Sequence, residues 1–321
     1  MASDMNRRQF LLGVLGAAAA GVVSGCAKKA ASQVAPAAGG GAGPPPEVGP
    51  ANLVIASGEG KGAAAITRAA VEGAGGIAKF VKKDARVVIK PNMAWQRRPE
   101  QAASTNPDLV TELARMCREA GAKEVTVLDH VIDRPARLVL EVNGLAKAAR
   151  DGGAKLVAAE LGDSPRLYRE IEIPRGTVLT AEQVVSQVLD ADVFINVPIA
   201  KQHSGSVLTL SMKNLMGIIF NRQGWHQLGL HTCIAEFATA VRPHLIVVDA
   251  MRILTSGGPK GPGTTKDVGQ VIVGTDPVAA DAYAATLFGL QPDQVPHIAQ
   301  AAKLGVGQMD LSKVAQEHVH A

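Results

Sequence analysis

Short apolar runs alternate with amphipathic stretches along most of the chain. The runs at 53–56, 85–89, 124–128, 155–159, 192–197, 244–248 and 268–273 are rich in Val, Ile and Leu. They have the length of buried strands. Between them, apolar residues recur at helical spacing. Leu109, Leu113, Met116 and Cys117 form one stripe, which Thr105-Asn106-Pro107-Asp108 caps and Gly121 ends. Further helices are predicted from about 63 to 83, over 136–151 with a break at Asn143-Gly144, and from Thr180 to Leu189. Others are predicted over 232–241, from Asp276-Pro277 to Leu287, and over 295–304, the last closing the domain. The stretch 168–173 alternates Ile with Glu and reads as an edge or hairpin strand. Alternating strands and helices predict an α/β fold: a mostly parallel, doubly wound, Rossmann-like sheet with helices on both faces. Aromatics at only 3% suit a sheet buried on both sides by aliphatic residues.

Ligands of open α/β sheets bind beyond the carboxyl ends of the strands. Here those ends hand over to polar groups: Lys90 and Asn92, Asp129 and His130, Lys201 and His203, Asp249, and Asp276. The stretch 192–231 is the densest. It runs from a buried strand through the break at Pro198 to Lys201, His203, Lys213, Asn214, Gly217, His226 and His231. Neither Lys201 nor Lys213 has an acidic residue within the next ten positions. Amines without acids in apolar surroundings are costly unless an anionic or covalent partner is supplied. His203, Lys213 and His130 are therefore the candidate catalytic residues. Lys90, Asn92, Lys201, Asn214, Asp249 and Asp276 are the candidate ligand-binding residues. His226 and His231 are candidate metal ligands, although their spacing of five does not align them on one helix face. Ser204 and Ser206 lack a nucleophile elbow, which argues against hydrolase chemistry. The Gly58–Gly62 stretch lacks the full spacing of a phosphate loop and reads as a turn.

The N-terminus carries different information. Asn6-Arg7-Arg8-Gln9-Phe10-Leu11-Leu12 resembles a twin-arginine export signal, and an apolar run to Val23 follows. Val23-Ser24-Gly25-Cys26 is similar to a bacterial lipobox, which makes Cys26 the predicted lipidation site. Residues 1–26 are thus the expected signal peptide, 27–50 an Ala/Gly/Pro-rich tether, and 51–321 a single α/β domain. Localisation on the periplasmic side of the envelope, anchored to the membrane through Cys26, is expected. The net charge is +4, but the first 29 residues hold four basic residues and one acidic residue. The remainder has 29 basic and 28 acidic residues, without the basic excess of a nucleic-acid binder. Cys117 and Cys233 could pair or stay free.

Together, Val87-Val88-Ile89-Lys90-Pro91-Asn92, the strand to Pro198, Lys201 with His203, the Ser211–Gly217 motif and the Gly274–Asp281 segment resemble the family called domain of unknown function 362, over about 53–306. Some relatives carry iron–sulfur modules. The absence of a Cys-rich run here implies no such cluster. A weaker resemblance links His203, Lys213, Gly217 and a downstream His, with Asp129-His130 and Arg134-Pro135, to nickel-pincer lactate racemases. That family uses a Lys-held cofactor, a nickel-ligating His and an acid–base His pair. The Gly-Gly-Arg that precedes its key Lys is replaced here by Leu210-Ser211-Met212. The resemblances imply an enzyme, racemase-like or redox-associated, taking an anionic substrate or a preloaded cofactor and using His/Lys acid–base chemistry. The alternative is a non-catalytic lipoprotein that captures an anion or metal for a partner.

Overall fold

A computed structural model describes residues 52–158 and 164–321. The predicted signal peptide, the tether and Cys26 lie outside the described residues. The strands are β1 (Asn52–Ser57), β2 (Arg86–Pro91), β3 (Glu124–Leu128), β4 (Lys155–Val157), β5 (Tyr168–Glu172), β6 (Ala181–Val185), β7 (Val193–Val197), β8 (Ile199–His203), β9 (Val207–Thr209), β10 (Leu245–Leu254), β11 (Thr265–Gly274) and β12 (Ala315–His320). The helices are α1 (Ala63–Gly73), α2 (Pro107–Glu119), α3 (Ala136–Val142), α4 (Leu145–Asp151), α5 (Ser186–Leu189), α6 (Ser211–Asn214), α7 (Arg222–Leu228), α8 (Leu230–Ala240), α9 (Pro277–Thr286) and α10 (Pro296–Lys303).

Ten strands make one sheet, ordered β12-β1-β11-β10-β7-β2-β3-β4, with β8 beside β10 and β9 beside β8. Along that order only β11 runs against its neighbours. The carboxyl ends of β2, β3, β7 and β10 therefore lie on one edge. β7 and β8 behave as one strand interrupted at Pro198. β7 pairs with the start of β10 and β8 with its later residues, while the Pro198 carbonyl accepts the Asp249 N–H at 2.8 Å. Proline has no N–H to continue a ladder, so the break is local and the direction is kept.

Successive strand residues point to opposite faces. Leu53, Ile55, Val88, Phe194 and Ile246 join one apolar core with α8, α9 and α10. Val54, Ala56, Val87, Ile89, Val193 and Ile195 join the other with α1, α2 and α4. Each fully buried Val, Leu or Ile contributes roughly 2 kcal/mol. Cys117 and Cys233 are both free and buried, one in each core, so the sheet separates them.

Three expectations are corrected. The segment after Thr180 is strand β6, paired antiparallel with β5 in a two-stranded ribbon, and only Ser186–Leu189 is helical. The β-branched pair Val184-Val185 packs into the core, which outweighs the helical propensity of the segment. Asp249 does not end its strand, because β10 continues to Leu254. The chain also does not close at α10. Strand β12 follows and pairs in parallel with β1, which places His318 and His320 on the sheet edge.

Asp276 caps α9. Its Oδ1 accepts the Val278 and Ala279 N–H groups at 2.8 and 2.9 Å, and its Oδ2 accepts the Gln308 N–H at 2.8 Å. Replacing Asp276 with Ala leaves three backbone donors without this acceptor. The expected loss is about 2 kcal/mol or more of unfolding free energy in urea titration.

Candidate functional site

Lys90 ends β2 and Asp129 follows β3, its direct neighbour. Their side chains meet with Nζ to Oδ1 at 2.7 Å. Both are almost wholly buried. Asp129 Oδ2 accepts the Met93 N–H at 2.7 Å, and Lys90 Nζ donates to the Pro91 carbonyl at 2.8 Å. Burial pulls the Lys90 pKa down, while Asp129 opposes that shift. Gly217 covers the pair. A Cβ there would overlap Asp129 Oδ1 and approach Lys90 Nζ within 2.7 Å, so only glycine fits.

The next layer is a chain of amides. Lys201 Nζ donates to Asn92 Oδ1 at 3.2 Å and to the Ala103 carbonyl. Asn92 Nδ2 donates to Asn214 Oδ1 at 3.1 Å, and Asn214 Nδ2 to Asn196 Oδ1 at 2.9 Å. Asn196 Nδ2 then reaches the Ser211 carbonyl and hydroxyl at 2.9 and 3.0 Å. Asp281, fully buried on α9, accepts the Ser211 and Met212 N–H groups at 2.6 and 3.0 Å. Burial pushes its carboxyl up to about 8 against those two bonds. The Ser211–Gly217 motif thus anchors at one end on Asp281 and at the other on the Lys90–Asp129 pair.

These groups line a cavity of about 460 Å³, within the range of small-molecule sites. Lys90, Asn92, Lys201, His203, Lys213, Asn214, His130 and His226 all face it, as do Asp129 and Arg222. Trp95 and Pro259 supply apolar wall. The Pro259 loop is held by the Gly258 N–H to Gln202 Oε1 at 2.7 Å and by Lys260 to Asp133 at 2.8 Å. The cavity therefore presents four permanent or titratable cations, Lys90, Lys201, Lys213 and Arg222, to a single carboxylate.

That imbalance registers in the amines and imidazoles. Burial, then Arg222 and Lys90, lowers the Lys213 pKa to about 8. Among the described residues Lys213 Nζ has only the Met216 sulfur as a hydrogen-bond partner, at 3.2 Å. Burial, then Lys213, carries Lys201 well below its ordinary value. Burial, then Arg222, lowers His130 to about 4, and its Nδ1 has no hydrogen-bond partner among the described residues. Burial, then Lys213 and Lys201, lowers His203 to about 3. His203 Nδ1 accepts the Gly205 and Ser206 N–H groups at 2.9 and 3.2 Å. This places the proton of the neutral ring on Nε2. Val207 closes that turn at φ 64°, a costly conformation for a β-branched residue.

Asp249, Asp276 and His231 do not line this cavity. Asp249 accepts the Asn106 and Met251 N–H groups at 2.7 and 3.1 Å. Asp276 caps α9. His231 stacks on His297, with Nδ1 to Nδ1 at 3.0 Å. Among the described residues no group of three or more His, Cys, Asp or Glu is arranged to hold a metal ion, and His226 and His231 are not brought into one. With its Nδ1 lone pair committed to backbone and the ring proton on Nε2, His203 is not set to ligate a metal. Arg222, Asn196 and Asp281 escaped the sequence reading. Asn196 inside an all-apolar strand and Asp281 in an alanine-rich helix were visible signals. Arg222 had none.

Fold and crevice together define an α/β protein with a cationic cavity at the carboxyl edge of its sheet. The chain belongs to the family described as Domain of unknown function (DUF362), whose model matches residues 87–286. It is 28% identical over 258 residues to the thylakoid-associated protein sll1697 of Synechocystis, covering 74% of each chain. The lactate racemase apoprotein of Thermoanaerobacterium thermosaccharolyticum is similar with a TM-score of 0.44 at 12% identity, covering 73% of this chain and 56% of that one. A Thermotoga maritima structural-genomics protein gives 0.43 at 13%, covering 73% and 60%. The chain spans less than two thirds of either structure.

Substituting Gly217 with Ala is expected to force Lys90 and Asp129 apart and to cost about 3 kcal/mol or more. Urea unfolding of the variant beside the parent chain measures this.

Proposed function

We propose that this protein is an envelope-anchored enzyme that binds a small organic anion at the carboxyl edge of its sheet and moves protons on it with His and Lys side chains. The observation that carries this reading is the set of three lysines and one arginine facing one carboxylate in one cavity. An anion entering it favours the charged form of Lys213, whose pKa burial lowers to about 8. Lys213 and Arg222, which have no carboxylate within ion-pair distance among the described residues, hold the anion. His203 donates from Nε2. His130, neutral and with Nδ1 free, accepts a proton. Anchoring through Cys26 belongs to the same proposal. No helix among the described residues is long and apolar enough to cross a membrane.

The fixed tautomer of His203 favours a second reading, capture of the anion without turnover, because a committed donor binds but does not shuttle protons. Substituting His130 with Gln separates the two. Under the enzyme reading, turnover of small hydroxy and oxo acids falls at least about a hundredfold while anion affinity holds. Under the capture reading there is no turnover to lose.

Oxalate, tested against its neutral diamide, is expected to raise the melting temperature. At a hundred times Kd the gain is about 2.7 kcal/mol, roughly 5 °C for a domain of this size. Stabilisation equal for both compounds, or for neither, contradicts anion binding. Lys213 is protonated below about 8, so oxalate affinity is expected to fall as pH rises through that value. In Lys213→Met that pH dependence should vanish, along with part of the affinity. Substituting Cys26 with Ser is expected to release the protein from the detergent-soluble membrane fraction. Retention of the variant there would rule out the anchor.

A further inference from the structure

Three lysines face the cavity, and their hydrogen-bond partners make them chemically different. Lys90 has a carboxylate, Asp129, at 2.7 Å, which keeps an ammonium in place. Lys213 is half-buried, and among the described residues its amine has only a thioether as hydrogen-bond partner. Lys201 is 1% exposed, has no carboxylate partner among the described residues, and donates to two oxygens, Asn92 Oδ1 and the Ala103 carbonyl. A neutral amine has two N–H bonds and one lone pair, whereas an ammonium has three N–H bonds. The two acceptors match the neutral form. A third N–H has no acceptor among the described residues, in an interior where an unmade bond to a charged donor is costly.

We propose that Lys201 is a nucleophilic amine that forms an imine with the carbonyl of a small anion, a 2-oxo or aldehyde acid, bound in this cavity. This rests on the anion-binding reading above and adds the carbonyl. The carboxylate is held by Lys213 and Arg222, and His203 Nε2–H polarises the carbonyl oxygen. Nζ attacks the carbonyl carbon as the π pair moves to oxygen. The two amine protons leave with that oxygen as water, and a C=N bond remains. No oxidant, reductant or metal enters the balance. The same burial and neighbouring amines that lower the Lys201 pKa keep the nucleophile unprotonated at neutral pH. Asn92 does more than accept one bond. Through Asn214 and Asn196 it ties the amine to the Ser211 turn that also carries Lys213, so nucleophile and anion anchor move as one body.

The test is reductive trapping. The full chain is incubated with glyoxylate and cyanoborohydride at pH 6, and the modified peptides are mapped by mass spectrometry. An ordinary lysine is almost entirely protonated there. A carboxymethyl group is expected on Lys201 at least about tenfold faster than on any other lysine. It should be lost in Lys201→Met and blocked by excess oxalate. It should persist in Lys213→Met at higher glyoxylate concentration. Label on Lys213 or on surface lysines alone overturns the assignment. Absence of label in a protein that oxalate stabilises overturns the imine and leaves anion binding intact. Absence of both label and oxalate stabilisation overturns both.

Discussion

The buried pair of Lys90 and Asp129 is the constraint around which the site is built. Two charges removed from water cost several kcal/mol each unless they meet in good geometry with their remaining valences satisfied. Neighbouring parallel strands supply that geometry, since β2 and β3 end side by side and each delivers one partner. The backbone supplies the rest through Met93 N–H and the Pro91 carbonyl. Once Asp129 is committed to Lys90, Lys201, Lys213 and Arg222 are left without a carboxylate of their own among the described residues. Burial and mutual repulsion lower the pKa values of the two lysines, which leaves the cavity ready for an anion.

Placement of the lysines depends on a second set of contacts that carries no net function of its own. The Ser211–Gly217 motif is pinned by Asp281 at its start and fits over the ion pair at Gly217. Between those points Lys213 and Asn214 have little freedom. The three asparagines in series, Asn92, Asn214 and Asn196, each accept and donate, so no amide in the chain is left half satisfied. A network of that kind is rigid when complete and destabilising when broken. Pro198 serves the same end from the other side: it interrupts β7 without turning it, and so delivers Lys201 and His203 beyond the sheet edge.

Much of this was legible in the sequence. Strand periodicity located β2, β3 and β7, and the polar residues at their ends identified Lys90, Asn92, His130, Lys201 and His203 as cavity residues. The cap at Asn106 and the break at Gly144 were local signals, and the structure follows them. What the sequence hid depends on tertiary contact. Strand β6 looked helical because its partner β5 lies 9 to 17 residues away across a turn. Asp249 and Asp276 looked like ligand groups, but side-chain polarity does not distinguish an acceptor of backbone N–H groups from an acceptor of substrate protons. Arg222 and the tautomer of His203 depend on how α7 and the 203–207 turn pack, and nothing in local spacing encodes either.

Storage of unprotonated amine in the cavity for an incoming anion has a direct calorimetric readout. Oxalate binding is measured at pH 8 in two buffers of different ionisation enthalpy, and the difference gives the protons exchanged. With Lys213 near half-protonation at that pH, uptake of about half a proton per oxalate bound is expected. Binding with no proton exchange, or with proton release, would contradict it.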